Sequence, residues 1–218
     1  MDGGEVEPAA RPSSRRVAAA SVRWARLSDV RTLARLYRGQ SAESRRNYHP
    51  YPFDRLRLLP ILVAMLLSSR IVGTLRRLAP NLAFVILIAE PRAGGAPIGF
   101  CTIRLVRRGR DPIWARFGYL VEEGHRGEGV GFQLAVAQWR IALELGVRRG
   151  GGTVMEGNLP SSRLLEPFGF RLAPSPEADR HGGDRANLGS VQDLEKALAE
   201  VRRQGGWRAE LLSDEIRR

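Results

Sequence analysis

The chain has 218 residues, 43% of them hydrophobic, and a formal net charge of +12, which suits one domain with a sizeable core. No apolar run reaches the roughly 18 residues of a membrane-spanning helix, and the polar, acidic start does not resemble a secretory signal. The single cysteine, Cys101, excludes an intramolecular disulfide and a cysteine cluster for a metal, so we predict a cytoplasmic protein with no membrane span and no metal.

The first elements follow a tail, residues 1–16, whose Gly, Pro, Ser and charged residues are typical of disorder. A strand is predicted over 17–26, and Ser28 is predicted to cap a helix that reaches Tyr37. The Pro-rich aromatic stretch 47–53 reads as a loop. A second helical region, interrupted or restarted at a proline, is predicted over 54–78.

Three apolar strands are predicted next, over 83–89, 98–106 and 113–121, and their short polar connections favour an antiparallel meander. A glycine-rich turn, 124–131, then leads into a helix over 130–145 whose apolar residues recur at helical spacing. The later elements are shorter and flanked by glycine and proline. They are a strand over 153–155, a helix over 161–166, a loop over 173–190 and helices over 191–203 and 210–216.

The glycine-rich turn between the third strand and the long helix is the strongest chemical signal. Residues 121–131 read VEEGHRGEGVG. Glycines let the backbone approach a ligand closely, and the free amides at the start of the following helix attract anions. Arg126 adds a positive charge that suits phosphate. The segment therefore predicts a pyrophosphate site, and the lysine-bearing phosphate loop of ATPases is absent from it.

The same segment resembles the acetyl-CoA signature of the GNAT superfamily, Arg/Gln-x-x-Gly-x-Gly/Ala, through Arg126, Gly129 and Gly131. A second signature of that family is matched downstream, in order and spacing, by Val154, Asn158, Ser161 and Leu164 and by the pair Gly169-Phe170. Residues 22–30 resemble its opening strand and helix, and the resemblance covers about 17–173. The remainder of the chain, 174–218, is interpreted as a loop with a C-terminal helical extension.

The resemblance implies an α/β (α+β) fold with a mixed, mostly antiparallel sheet, flanked by helices, whose splayed strands form the acetyl-CoA site. It implies direct transfer of acetyl from acetyl-CoA, as co-substrate, to a primary amine of an unidentified acceptor, either a small molecule or a peptide. Backbone amides near Leu120 and Val121 would polarise the thioester carbonyl. The residues that it assigns to acetyl-CoA are Leu120, Val121, Arg126, Gly127, Glu128, Gly129, Val130, Gly131 and Asn158.

The chain departs from the family pattern at one catalytic position. The tyrosine that commonly protonates the leaving thiolate falls at Leu165, which cannot donate a proton. The candidates for the base that receives the amine proton are Tyr119 on the third strand, Glu122 directly after it, and His49 in the loop where the family builds its acceptor pocket.

Other functions stay open at this point. Leu165 also suits a degenerate domain that holds CoA as a sensor or scaffold. The basic charge permits a nucleic-acid partner, but the arginines are scattered and lack interleaved aromatic residues that would stack on bases. The sequence leaves the oligomeric state open, and a homodimer is one option.

Overall fold

The computed structural model describes residues 20–47, 58–107, 109–155, 157–170, 172–174, 186–189 and 192–218. Within these ranges the strands are β1 (Ala20–Trp24), β2 (Phe84–Pro91), β3 (Gly99–Val106), β4 (Trp114–Val121), β5 (Arg149–Gly151), β6 (Thr153–Met155), β7 (Leu172–Pro174), β8 (Ala186–Gly189), β9 (Gln192–Asp193) and β10 (Ile216–Arg217). The helices are α1 (Val30–Arg38), α2 (Ala42–Asn47), α3 (Leu58–Arg70), α4 (Val72–Leu78), α5 (Val130–Glu144), α6 (Leu159–Leu165), α7 (Leu194–Gln204) and α8 (Gly206–Glu210).

The predicted meander forms the middle of a seven-stranded sheet with the order β10-β1-β2-β3-β4-β5-β9. β1 to β4 pair antiparallel, whereas β4 and β5 pair in parallel. A smaller sheet has the order β6-β8-β7. The predicted α/β class with a mixed, mostly antiparallel sheet is therefore confirmed.

The split between the two sheets begins partway along β4. β4 meets β5 only through the pairs Ala115↔Gly150 and Arg116↔Gly151. β6 follows β5 in the chain but pairs with β8 in the other sheet. From Phe117 to Val121, the β4 edge that faces away from β3 thus has no paired strand among the described residues. This opening is the splay that the family resemblance implies.

Each face of the large sheet has its own core. α5 and α7 cover one face, where Leu134, Trp139 and Val201 are fully buried. α1 and α3 cover the other, where Leu33 and Leu66 are buried against β2 and β3. The large sheet therefore separates the two cores, except where its strands part at the split.

The helical region predicted over 54–78 is two helices in its described part. α3 and α4 meet at Ile71, and Pro60 lies in the first turn of α3, where a proline costs no hydrogen bond. No described helix alone has the length and apolarity to cross a membrane; α3 and α4 meet that test only as a pair, and they are bent by 89°.

The end of the chain differs from the sequence prediction. The helix predicted over 210–216 is wrong: α8 ends at Glu210, a short 3₁₀ turn follows, and Ile216 pairs with Val22 as a parallel edge strand. The segment predicted as a loop over 173–190 contains the strands β7 and β8. α7 packs into the main core through Leu194 and Val201.

Ser28 does not cap α1 as predicted. It lies in a 3₁₀ turn, and the carboxylate of Asp29 accepts the Arg26 amide at 2.6 Å. Asp29 also receives two bonds from the guanidinium of Arg23, at 2.7 and 3.0 Å, and Arg23 binds Glu90 on β2. This largely buried cluster of ion pairs links β1 to the start of α1 and to β2.

Removing Arg23 is expected to destabilise the fold. Arg23→Met leaves the largely buried carboxylate of Asp29 without its cation, while Glu90 keeps its ion pair with Arg217 at 3.1 Å. Breaking a buried pair costs about 3–5 kcal/mol of the free energy of unfolding. Urea unfolding at pH 7 measures the loss, with the exposed Arg31→Met as the matched control. An equal effect of both substitutions would contradict the role of the cluster.

The cluster also predicts a pH dependence. Burial alone would raise the pKa of Asp29, but the bonds and charge of Arg23, with the Arg26 amide, outweigh it and hold the pKa below its usual value. The stabilisation is therefore present above the unfolded-state pKa, about 3.9, and is lost as the pH falls through the lower folded-state pKa. In acid, wild type should lose stability relative to Asp29→Asn.

Candidate active site

The predicted glycine turn lies between the end of β4 and the start of α5. Gly127 and Gly129 have φ angles of +82° and +87°, which side-chain-bearing residues rarely adopt. Gly129 is the N-cap of α5, a helix of 15 residues. The first amides of such a helix lack intrahelical acceptors, so they present donors and the positive end of the helix dipole.

The loop lines an open cleft of about 1230 Å³. The cleft lies at the split, with the end of β4 and the start of α6 on either side. Further walls come from the α1–α2 connection and from the C-terminal helices. The residues of these further walls are Gln40, Ser41, Glu43 and Ser44 on one side and Gln204, Trp207 and Arg208 on the other.

Most residues predicted to bind acetyl-CoA come together in this cleft. Its lining contains Leu120, Val121, Arg126, Gly127, Glu128, Gly129, Gly131 and Asn158. Val130 does not line it, because its side chain is buried in the core under α5. That these residues bind acetyl-CoA stays a prediction, although their common location is a structural fact.

The strand register determines which β4 amides face the opening. Leu120 pairs with Phe100, and the Glu122 amide donates to the Ile98 carbonyl at 2.8 Å. Because alternate residues of a strand direct their amides to opposite sides, those of Tyr119 and Val121 point to the open edge, whereas that of Leu120 points to β3.

Arg126 is held by residues that the sequence analysis missed. It donates to Gln40 Oε1 at 2.6 Å and to Ser44 Oγ at 2.9 Å. The Ser41 amide donates to Glu123 at 3.0 Å, and this bond, with those from the side chains around it, holds the pKa of Glu123 below its usual value. These contacts dock the α1–α2 connection against the glycine loop across more than 80 residues of sequence.

Asn158 caps α6 and lines the cleft at the same time. Its Oδ1 accepts the Ser161 amide at 3.3 Å, and Pro160 lies in the first turn. Asn158 therefore has a structural role as the N-cap of α6, and it also lines the cleft.

Tyr119 brings a phenol to the split. Its hydroxyl is buried and makes no hydrogen bond of normal geometry with a described residue. Burial raises the pKa of Tyr119 to about 12, and the nearby Ser161 side chain opposes only part of the rise. Leu165, at the position where the family commonly has a tyrosine, is 8% exposed and packs in the core.

Of the two other candidate bases, only Glu122 lies among the described residues, and it does not line the cleft. Glu122 forms an ion pair with Arg35 on α1 at 2.8 Å, and His49 lies outside the described residues. Cys101 is fully buried, and burial raises the pKa of its thiol, so it is a core residue. The described residues include no group of three His, Cys, Asp or Glu side chains placed to hold a metal ion.

The glycines at 150–152 serve packing at the start of the split. A Cβ on Gly150 would lie 2.1 Å from Cε2 of Phe117, so the aromatic ring occupies the place of a side chain. Gly152 approaches the Phe117 carbonyl similarly, since a Cβ on it would lie 3.1 Å from that oxygen. These glycines let Phe117 close the base of the opening.

Arg208 of α8 adds a second indication of an anionic ligand. Its Nε is buried without a hydrogen-bond partner among the described residues. Its guanidinium lies 5.2 Å from the ring centre of Trp207 and 5.6 Å from that of Phe132. The sequence analysis missed both residues of α8, because only the packing of α8 on α5 brings them to the cleft.

Comparisons with known proteins agree on one family. The model of the acetyltransferase (GNAT) domain matches residues 21–171. No curated protein sequence matches the chain. Among solved structures, RimJ of Mycobacterium smegmatis in complex with CoA-disulfide has 20% identity and a TM-score of 0.61, with coverage of 84% of this chain and 90% of RimJ.

Two further structures have the same fold. Ribosomal-protein-S5-alanine acetyltransferase from Vibrio fischeri is 14% identical at a TM-score of 0.61, covering 80% of this chain and 94% of its own. The GNAT domain of PAT from S. lividans is 22% identical at a TM-score of 0.57, and the match covers 78% of this chain and 89% of the PAT domain. The family match spans most of the chain and includes the glycine loop and the split, so this chain belongs to the GNAT acetyltransferase domain family and is an acyltransferase.

Proposed function

We propose that the enzyme transfers acetyl from acetyl-CoA directly to a primary amine. The observation that carries this proposal is the cleft that joins the glycine loop to the open edge of β4. The amides of α5 and the cation of Arg208 suit phosphate groups at one end. At the other end of the cleft, the unpaired amides on the open edge of β4 suit the extended, amide-containing arm of CoA. RimJ of M. smegmatis was solved with CoA-disulfide, which supports a CoA thioester as the donor.

The open edge of β4 supplies the groups for the chemical step. The amide of Val121 or Tyr119 donates to the thioester carbonyl and stabilises the negative charge that develops there. The amine must be neutral to attack, so a base or a desolvated pocket removes its proton. The Tyr119 phenol is protonated at neutral pH, so we assign it the opposite task of giving a proton to the leaving thiolate, which Leu165 cannot do.

Glu122 and His49 are the proposed bases. Replacing the true base by glutamine is expected to lower kcat/KM by about 10²–10⁴-fold and to remove the acidic limb of its pH profile. The profiles of Glu122→Gln and His49→Gln measure this, and two unchanged profiles would contradict both assignments. The acceptor class, a small molecule or a peptide amine, the cytoplasmic location and a homodimer stay predictions.

A CoA-binding sensor is the second candidate, favoured by the buried Leu165 at the tyrosine position. Calorimetric titration with acetyl-CoA, followed by detection of free CoA thiol with a panel of amines, separates the two. Binding with turnover supports the transferase. Binding without turnover on any amine favours the sensor, and absence of binding contradicts both.

A further inference from the structure

A small cavity of about 70 Å³ lies at the split beside the main cleft. Tyr119 and Trp139 line it on the α5 face, while Thr102, Arg104 and Arg116 line it on the opposite face. Alternate residues of a strand point to opposite faces of the sheet. Phe100 and Leu120 belong to the core under α1 and α3. Arg104 and Arg116 each lie four residues from one of them on the same strand, so both arginines are on that face. Residues from both faces of the sheet thus line the cavity.

Buried polar atoms without partners collect around this cavity. Its lining residues include Arg104, whose Nε is buried and unpartnered, and the same holds for Gln138 Oε1 and Trp139 Nε1 among the described residues. Gln138 and Trp139 are 1% and 0% exposed. Unpaired polar groups in an interior are costly, so these groups call for a polar occupant.

Two arginines lie directly opposite each other at the cavity. Arg104 of β3 pairs in register with Arg116 of β4. Arg104 stacks at 5.6 Å over the Phe84 ring, and Arg116 donates to Thr153 Oγ1 at 2.7 Å. Neither forms an ion pair with an acidic side chain in the described part of the chain. Like charges opposite each other destabilise a sheet, so an anion is the missing partner.

The arginine pair lies on the route that an acceptor would take. In the proposed function the donor occupies the cleft between β4, α5 and α6, so we place the amine's approach to the thioester on the other face of the sheet. There the next pair toward the end of β4 is Thr102↔Gly118, and Gly118 has no side chain to block the path. Arg116 is two residues from Gly118, about 7 Å along the strand.

We infer that the acceptor is a small primary amine that carries an oxyanion, a carboxylate or a phosphate-like group, bound by Arg104 and Arg116. This inference rests on the proposed function and specifies its substrate class. The guanidinium groups donate paired hydrogen bonds to the oxyanion, which matches their planar geometry. The amine then points past Gly118 to the open edge of β4.

Matched acceptors test the inference on the wild-type enzyme. β-Alanine, 2-aminoethylphosphonate and propylamine have similar length but a carboxylate, a phosphonate and no charge, and phenylalanine with 2-phenylethylamine forms a second pair. With acetyl-CoA saturating, release of CoA thiol gives kcat/KM for each. We expect an anionic amine to exceed its neutral counterpart by roughly 10- to 100-fold, and the carboxylate and phosphonate members distinguish the two anions.

Variants then assign the effect to the arginines. Arg104→Gln and Arg116→Gln should bring the ratio of kcat/KM for anionic over neutral amine close to one. Arg110→Gln, the same change at an exposed position in the β3–β4 connection, should keep the wild-type ratio. Thermal unfolding and acetyl-CoA titration of each variant show that it is folded and loaded.

Each adverse result has a separate meaning. If acetyl-CoA binds and neutral amines serve equally well, or no anionic amine is acetylated, the inference is overturned while the donor assignment stands. An unchanged ratio in both arginine variants overturns it as well, and assigns the unpaired atoms to ordered water. If acetyl-CoA does not bind, the proposed function fails and this inference fails with it.

Discussion

Gly129→Glu is expected to weaken acetyl-CoA binding by at least about 100-fold, which corresponds to ~2.8 kcal/mol. Gly129 is the N-cap of α5 and lines the cleft. A glutamate there adds bulk where the pyrophosphate would approach the backbone and puts a negative charge beside the amides that would bind it. Isothermal titration calorimetry of both proteins with acetyl-CoA measures the loss.

Backbone strain needs its own control in this experiment. At Gly129 the φ angle is +87°, so any side chain there costs about 1–2 kcal/mol in conformation alone. Gly94→Glu places the same residue at φ +86°, with nothing within 4 Å, in the turn after β2 and away from the cleft. Equal binding by Gly94→Glu and wild type, with loss only in Gly129→Glu, supports the site. Undiminished binding by folded Gly129→Glu would locate acetyl-CoA elsewhere.

Tyr119→Phe is expected to lower kcat by about 10²–10⁴-fold, the usual contribution of a general acid. The affinity for acetyl-CoA should change little, because the substitution removes only a hydroxyl that makes no hydrogen bond of normal geometry with a described residue. Since the pKa is about 12, the phenol stays protonated through the ordinary pH range, so the loss should be constant from pH 6 to 9. Stopped-flow detection of CoA thiol gives the rate.

Tyr37→Phe provides the matched control for this prediction. Tyr37 is buried on α1, in the core on the other face of the sheet, and does not line the cleft. It should keep the wild-type kcat. If Tyr119→Phe also keeps it, the proton on the leaving thiolate comes from water or from another side chain, and the raised pKa of Tyr119 reflects burial alone.

The elements that the sequence predicted correctly are those marked by patterns within one short segment. The glycine loop follows a strand and precedes a helix within one short segment, so its position could be inferred without tertiary contacts. The same holds for β2 to β4, whose continuous apolar residues and short connections predict neighbouring strands. The splay could be inferred only from the family resemblance, because the one-residue break between β5 and β6 gives no separate signal.

Other parts of the site depend on contacts between distant residues. Arg126 was predicted to face phosphate, but its bonds to Gln40 and Ser44 join segments 86 and 82 residues apart, which a single sequence does not reveal. Trp207 and Arg208 reach the cleft only because α8 packs beside Phe132 of α5. The register of Arg104 with Arg116 likewise required the structure, since a shift by one residue would turn either side chain to the other face.

A crystal structure of the wild-type protein with acetyl-CoA tests the central claim most directly. We expect the pyrophosphate on the amides between Gly127 and Gly131, the arm along the open edge of β4, and the thioester sulfur within hydrogen-bond reach of the Tyr119 hydroxyl. Density for acetyl-CoA outside this cleft, or a glycine loop that stays empty at saturating acetyl-CoA, would contradict the account.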